Sequence, residues 1–256
     1  MEPAPSAYCG PPSVPADWLA RWNLDPVLLA AWLAIGLAWE WSARRQRDAA
    51  ARSRARAFRA GWGLALAAWV SPLCALGVAL FSARVAQHML LALVAAPLLA
   101  QGWPQRAENG PGRAIAACAG FAALTWFWHV PAPYEATFRS DAAYWAMHAS
   151  LLAAAIWLWR ILLARTASGF AVPCAAALAT CFQMSLLGVV FTFAPNPLFE
   201  SHRLGAPPWG LSALEDQQLG GLVLWVPGCV AFLLAGVAPV AAWLKLQDRE
   251  TPRAAL

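Results

Sequence analysis

Apolar residues in this chain come in long runs, broken by short connections that carry most of the charge. Seven runs reach or approach the ~20 residues a helix needs to cross a bilayer. They are Asp25–Trp41, Gly61–Phe81, Val85–Gln101, Ala114–His129, Ala143–Leu163, Ala171–Phe193 and Leu219–Leu244. Pro72, Pro97, Pro227 and Pro239 fall inside or near these runs, and packed membrane helices tolerate such kinks. The pattern predicts an all-α polytopic membrane protein, a seven-transmembrane-helix bundle. Residues 1–23 read as a periplasmic N-terminal segment, 24–244 as the bundle and 245–256 as a cytoplasmic tail. There is no internal repeat, and no linker is long enough to divide the chain.

The connections set an orientation. Arg44, Arg45, Arg47, Arg52, Arg54, Arg56 and Arg59 crowd the first, Arg106 and Arg113 the third. Arg160 and Arg165 flank the end of the fifth run, and Lys245, Arg249 and Arg253 follow the last. These fourteen of the eighteen basic residues fall on one side, while Arg21, Arg84, Arg139 and Arg203 fall on the other. Cytoplasmic loops are enriched in Lys and Arg, so the N-terminus is expected outside and the C-terminus in the cytoplasm. The outer connections 131–141 and 194–216 are rich in proline and aromatics and read as ordered caps.

Composition narrows the class. The hydrophobic fraction is 61% and the charged fraction 12%, about half the charge of an average soluble domain. Sixteen tryptophans fit a chain with two membrane interfaces. The net charge of +5 is explained by topology, and no basic patch interleaves with aromatics, so no nucleic-acid partner is expected. Met1–Trp22 lacks a basic start followed by an apolar run, so no cleavable signal peptide is expected. The only lysine, Lys245, lies at the end of the last run. A retinal Schiff base needs one buried in mid-helix, so that reading fails.

The four histidines, His88, His129, His148 and His202, all fall towards the outer side, the last in an exposed loop. Ionisable groups at membrane depth are functional candidates, and imidazole with thioether or thiolate suits Cu(I). Met89 follows His88, and Met147 precedes His148. Cys74, Cys181 and Met184 lie deeper and offer soft ligands, though buried Met and Cys are commonly core filler. Cys9, Cys74, Cys118, Cys174, Cys181 and Cys229 are scattered, so no disulfide framework is expected. Asp216, Gln217 and Gln218 open the last run, where an acid caps a helix, and the two amides are placed to face the histidines. Gly220 and Gly221 permit a close helix approach.

Several motifs resemble the CtaG family of seven-helix cytochrome c oxidase assembly proteins. They are Ser71-Pro72-Leu73, Phe81-Ser82-Ala83, Gln87-His88-Met89-Leu90-Leu91 and Ala96-Pro97-Leu98-Leu99, then Trp128-His129-Val130-Pro131 with Tyr134, His148 and Pro195-Asn196-Pro197-Leu198. Asp216-Gln217-Gln218-Leu219-Gly220-Gly221 with Trp225-Val226-Pro227-Gly228 is the most specific, and the set spans roughly residues 24–244. The resemblance implies a multi-pass protein of the bacterial inner membrane, in contact with lipid. Its partners would be cytochrome c oxidase subunits and its cargo copper at the periplasmic face, and it would not be an enzyme. It carries over His88, His129, His148, Asp216, Gln217 and Gln218. The family pattern puts an acid at position 74 and histidines at 84 and 144, whereas this chain has Cys74, Arg84 and Tyr144. Arginine cannot ligate a metal, so a family-type site would shift towards Cys74, His88, Met89, His129 and His148. A short outer turn at Phe81–Arg84 would put Cys74 about 10 Å and His88 about 6 Å below it at 1.5 Å per residue. A Cys74 thiolate would then stand beside His88. A copper transporter or copper-resistance protein, or a metal-free structural partner of oxidase subunits, are the alternative readings.

Overall fold

The computed structural model describes residues 7–43, 49–103, 110–164 and 170–250, which are mostly helical with no strand among them. Arg44, Arg45, Arg47, Arg106, Arg165 and Arg253 of the charge argument lie outside the described residues.

The first helix, α1 (Pro26–Ala43), begins on Asp25, whose carboxylate accepts the amide of Val27 at 2.8 Å, a standard N-terminal cap. The second run is not one rod. Helix α2 (Ala49–Val70) meets α3 (Leu73–Ala79) at a 49° bend over Ser71–Pro72. Proline has no amide to donate, and it disfavours helix in the residue before it.

The third run starts earlier than its hydropathy predicts. Leu80 is extended, and α4 (Phe81–Leu90) begins at once, followed by a π-turn (Leu91–Ala95) and α5 (Ala96–Gln101). Arg84 therefore sits inside a helix and not in a turn. The cause lies far along the chain. Asp216 is fully buried and accepts the amides of Phe81 (2.6 Å) and Ser82 (3.1 Å) and the Ser82 hydroxyl (2.5 Å). It caps α4, not the helix it stands on.

The remaining elements are α6 (Pro111–Trp128), the short α7 (Pro131–Ala136), α8 (Asp141–Leu162), α9 (Ala171–Thr192) and α10 (Ala213–Glu250). Helix α10 continues beyond its apolar run to Glu250. Among the described residues five helices are long and apolar enough to cross a membrane, or six if α2 and α3 form one bent span. The 18-residue α6 is not one of them.

Close packing follows small residues. A Cβ on Gly221 would come within 2.5 Å of the Thr192 hydroxyl and 2.9 Å of the Gly188 carbonyl, so α9 and α10 touch backbone to backbone. Gly220 makes the same allowance for the Phe81 ring. The tryptophans do more than mark interfaces. Trp32 stacks on Trp62 at 3.6 Å and Trp39 on Phe58 at 3.7 Å, joining α1 to α2. Arg59 closes the far end of that pair through a two-pronged bond to Glu40, 2.6 and 2.8 Å. Trp69 extends the aromatic column to His148 at 5.7 Å.

A buried histidine pocket and its surroundings

Helix α4 carries His88 and Met89, α6 ends on His129, and α8 carries His148. All three imidazoles are buried, with 6%, 6% and 1% of their surface exposed. The His88 ring lies 5.9 Å from that of His129 and 5.2 Å from that of His148, edge to face in both pairs. They wall a cavity of about 30 Å³, enough for an ion or a water. Met89 and Met184 line it too, so the neighbours His88 and Met89 of α4 share one site. The π-turn directly below widens α4 at this level, and such turns recur at functional sites.

The histidine nitrogens are unusual. Among the described residues, both nitrogens of His88, both of His148 and Nε2 of His129 are buried without a hydrogen-bond partner. An unpaired buried polar atom costs roughly 1–3 kcal/mol, and five on three neighbouring side chains is a large sum to leave uncompensated. His129 alone is oriented. Its Nδ1 lies 2.7 Å from the Thr125 carbonyl, which only accepts, so Nδ1 carries the hydrogen and the Nε2 lone pair is free.

The pocket is held from three sides. Gln87 donates to the Ala68 carbonyl at 2.7 Å, pinning α4 to α2. Asp216 fixes where α4 begins. Trp159 donates to the Ala92 carbonyl, inside the π-turn, at 2.7 Å. Gln217 accepts the Leu198 amide at 2.6 Å and donates to the Phe191 carbonyl at 3.4 Å. It secures the 194–199 loop and does not bond a histidine. Gln218 is half-buried beside it.

His202 is buried, contrary to the expectation of an exposed loop residue, with 1% of its surface open. Its Nε2 accepts from the Tyr134 hydroxyl at 2.6 Å, and Nδ1 donates to the Ala79 carbonyl at 3.3 Å. Burial, with the Arg84 charge second, pulls its pKa from 6.5 to about 3. Both nitrogens are used, so it stands apart from the other three.

Cys74 corrects two expectations. It is disulfide-bonded to Cys9, 65 residues away. A disulfide framework was not expected, and a bonded sulfur is no thiolate ligand for His88. No spacing rule marks Cys9, so only the fold reveals the pair. Arg84 is buried, its guanidinium 4.3 Å from the Phe138 ring and 4.9 Å from the Tyr134 ring. It donates to the Thr137 hydroxyl at 2.5 Å and to the Met147 sulfur at 3.7 Å, so Met147 faces Arg84. Deeper down, the Cys181 and Cys229 sulfurs lie 2.6 Å apart between α9 and α10.

Among the described residues, five helices are fit to span a membrane, or six with the bent pair, around a histidine-lined pocket, the build of a multi-pass membrane protein. The family model described as "cytochrome c oxidase caa3 assembly factor (Caa3_CtaG)" matches residues 35–246, and the chain belongs to that family. No curated protein and no solved structure matches the chain.

Proposed function

We propose that this assembly factor handles copper, as Cu(I), at the outer face of a bacterial inner membrane, with His88, His129 and His148 as its ligands. The observation that carries the reading is the set of five unpartnered imidazole nitrogens on three histidines that line one small cavity. Three imidazoles sharing an ion at about 2.0–2.1 Å per nitrogen hold their ring centres roughly 5–6 Å apart, matching the 5.2 and 5.9 Å found. The thioethers of Met89 and Met184 tilt the donor set towards Cu(I). No group of three His, Cys, Asp or Glu side chains among the described residues is already set around a metal position. Binding therefore requires the imidazoles to turn in place. The family description supports oxidase components as the recipients, and the role is delivery without catalysis. The seven apolar runs support seven crossings, and the basic connections support an N-terminus outside and a C-terminus inside.

The test is Cu(I) titration of the detergent-purified protein against a chromogenic chelator. The expected result is one tightly held equivalent, with His88→Ala/His148→Ala weakening it by about 100-fold or more, since even supporting residues of metal sites are worth 10–100-fold. Unchanged copper retention in the double variant would remove these residues as ligands.

A further inference from the structure

The Cys9–Cys74 pair lies next to the histidine pocket. The Tyr144 hydroxyl is 3.5 Å from each of the two sulfurs, and the Tyr144 ring is 4.3 Å from the His148 ring. One side chain thus separates the sulfur pair from a buried imidazole whose two nitrogens have no partner. The two cysteines differ in freedom. Cys74 is fixed in α3 and 2% exposed, whereas Cys9 is half-buried in a turn outside any helix. The N-terminal segment is strapped over this end of the bundle by more than the disulfide. Tyr8 stacks on Tyr144 at 4.8 Å and donates to Asp25, and Trp209 donates to the Ser13 carbonyl at 3.1 Å.

We propose that Cys9 and Cys74, once reduced, form a Cu(I) site at the mouth of the bundle, which the disulfide closes. A dithiol reductant attacks the sulfur of the half-buried Cys9. Two electrons and two protons pass to the protein, which gains two thiols, while the reductant leaves as its own disulfide. Cu(I) then displaces both thiol protons and is held as a dithiolate complex of charge −1. Two thiolates on one ion stand at most about 4.6 Å apart, twice a metal–sulfur bond of about 2.3 Å. The Cα atoms are 5.6 Å apart, so movement of the Cys9 turn suffices. The charge also fits. The Arg84 guanidinium is 5.9 Å from the Tyr144 ring, and a permanent cation there favours an anionic dithiolate complex over a cationic imidazole one. Passage past Tyr144 to His148 would make this the entry point of the pocket, and that last step alone rests on the function proposed above.

The experiment counts Cu(I) bound by the full-length protein in detergent, first as the disulfide, then after reduction with dithiothreitol and its anaerobic removal. Reduction should add one equivalent, and Cys9→Ser should bind the oxidised number in both states. Cys118, Cys174, Cys181 and Cys229 are free thiols, and the Cys9→Ser control subtracts any copper they take. An unchanged count on reduction of the wild type overturns the proposal, as does retention of the extra equivalent in Cys9→Ser. No copper on the oxidised protein, with one equivalent after reduction, would instead sink the imidazole site and leave this one standing.

Discussion

Two histidine environments lie within one end of this bundle, and they solve burial in opposite ways. His202 is wedged under a loop and gives both nitrogens to fixed partners, the Tyr134 hydroxyl and the Ala79 carbonyl. His88 and His148 are buried too, and give theirs to no described residue. Satisfied, a buried imidazole is a strut. Unsatisfied and grouped around a cavity, it is a ligand in waiting, because native proteins seldom leave buried polar atoms unpaired without a reason. Burial alone does not separate the two, since His202 and His148 are each 1% exposed. The hydrogen-bond account does.

The largest expected effect falls on what the two environments share. Helix α4 runs between them, with Phe81 6.0 Å from the His202 ring and His88 two turns further on. Asp216→Ala would leave two amides and a hydroxyl without their acceptor. We expect a loss of about 2–4 kcal/mol in stability, from the cap and the unpaired donors together, read as a drop in the thermal unfolding midpoint in detergent. Copper retention should fall with it, because α4 positions His88. A stable Asp216→Ala protein with a weakened copper site would mean that the acid acts on the site and not through the helix.

His202→Leu sharpens the contrast. It strands the Tyr134 hydroxyl and the Ala79 carbonyl, and we expect about 1–3 kcal/mol of destabilisation with copper retention unchanged. The same residue predicts a pH dependence. Its folded pKa of about 3 lies below the ordinary 6.5, so the unfolded chain takes up the proton first as pH falls. Stability should therefore decline between about pH 6.5 and 3, by up to about 1.4 kcal/mol per unit from this group. His202→Leu should flatten that slope, and midpoints measured from pH 7 to 4 check it. A slope left unchanged by the substitution would assign this share of it elsewhere.

The positions of the helices were legible because apolar runs of this length have few alternatives. The bend at Ser71–Pro72 was half-legible, since the proline is visible but its partner helix is not. The early start of α4 was hidden, because its cap comes from Asp216, some 135 residues away. The same limit explains the histidines. Sequence placed His88, His129, His148 and His202 at one face, which is a matter of topology. It set His202 apart on the wrong ground, as an exposed loop residue, because the true division depends on Tyr134 and Ala79 reaching His202 and on no described residue reaching His88. Thr125 was closer to view, since it stands four residues before His129 on one helix face, where its carbonyl meets the ring. The Cys9–Cys74 bond left no trace in spacing at all.

The smallest expected effect is also the most direct test of the contrast. His148→Leu removes two unpartnered nitrogens and puts an apolar side chain of similar size against Trp69, Tyr144 and the His88 ring. No hydrogen bond is lost, because none was made. Exchanging a buried polar group that lacks partners for an apolar one of like shape is close to neutral, or stabilising, by the same reasoning that makes stranded groups costly. Without copper, His148→Leu should unfold within about 1 kcal/mol of the wild type, while His202→Leu unfolds earlier. With copper the order should change. Only the wild type and His202→Leu should gain stability from the ion, since a ligand stabilises what binds it. Equal losses for both variants without copper would mean that His148 has partners of its own, and the division between strut and ligand would fall.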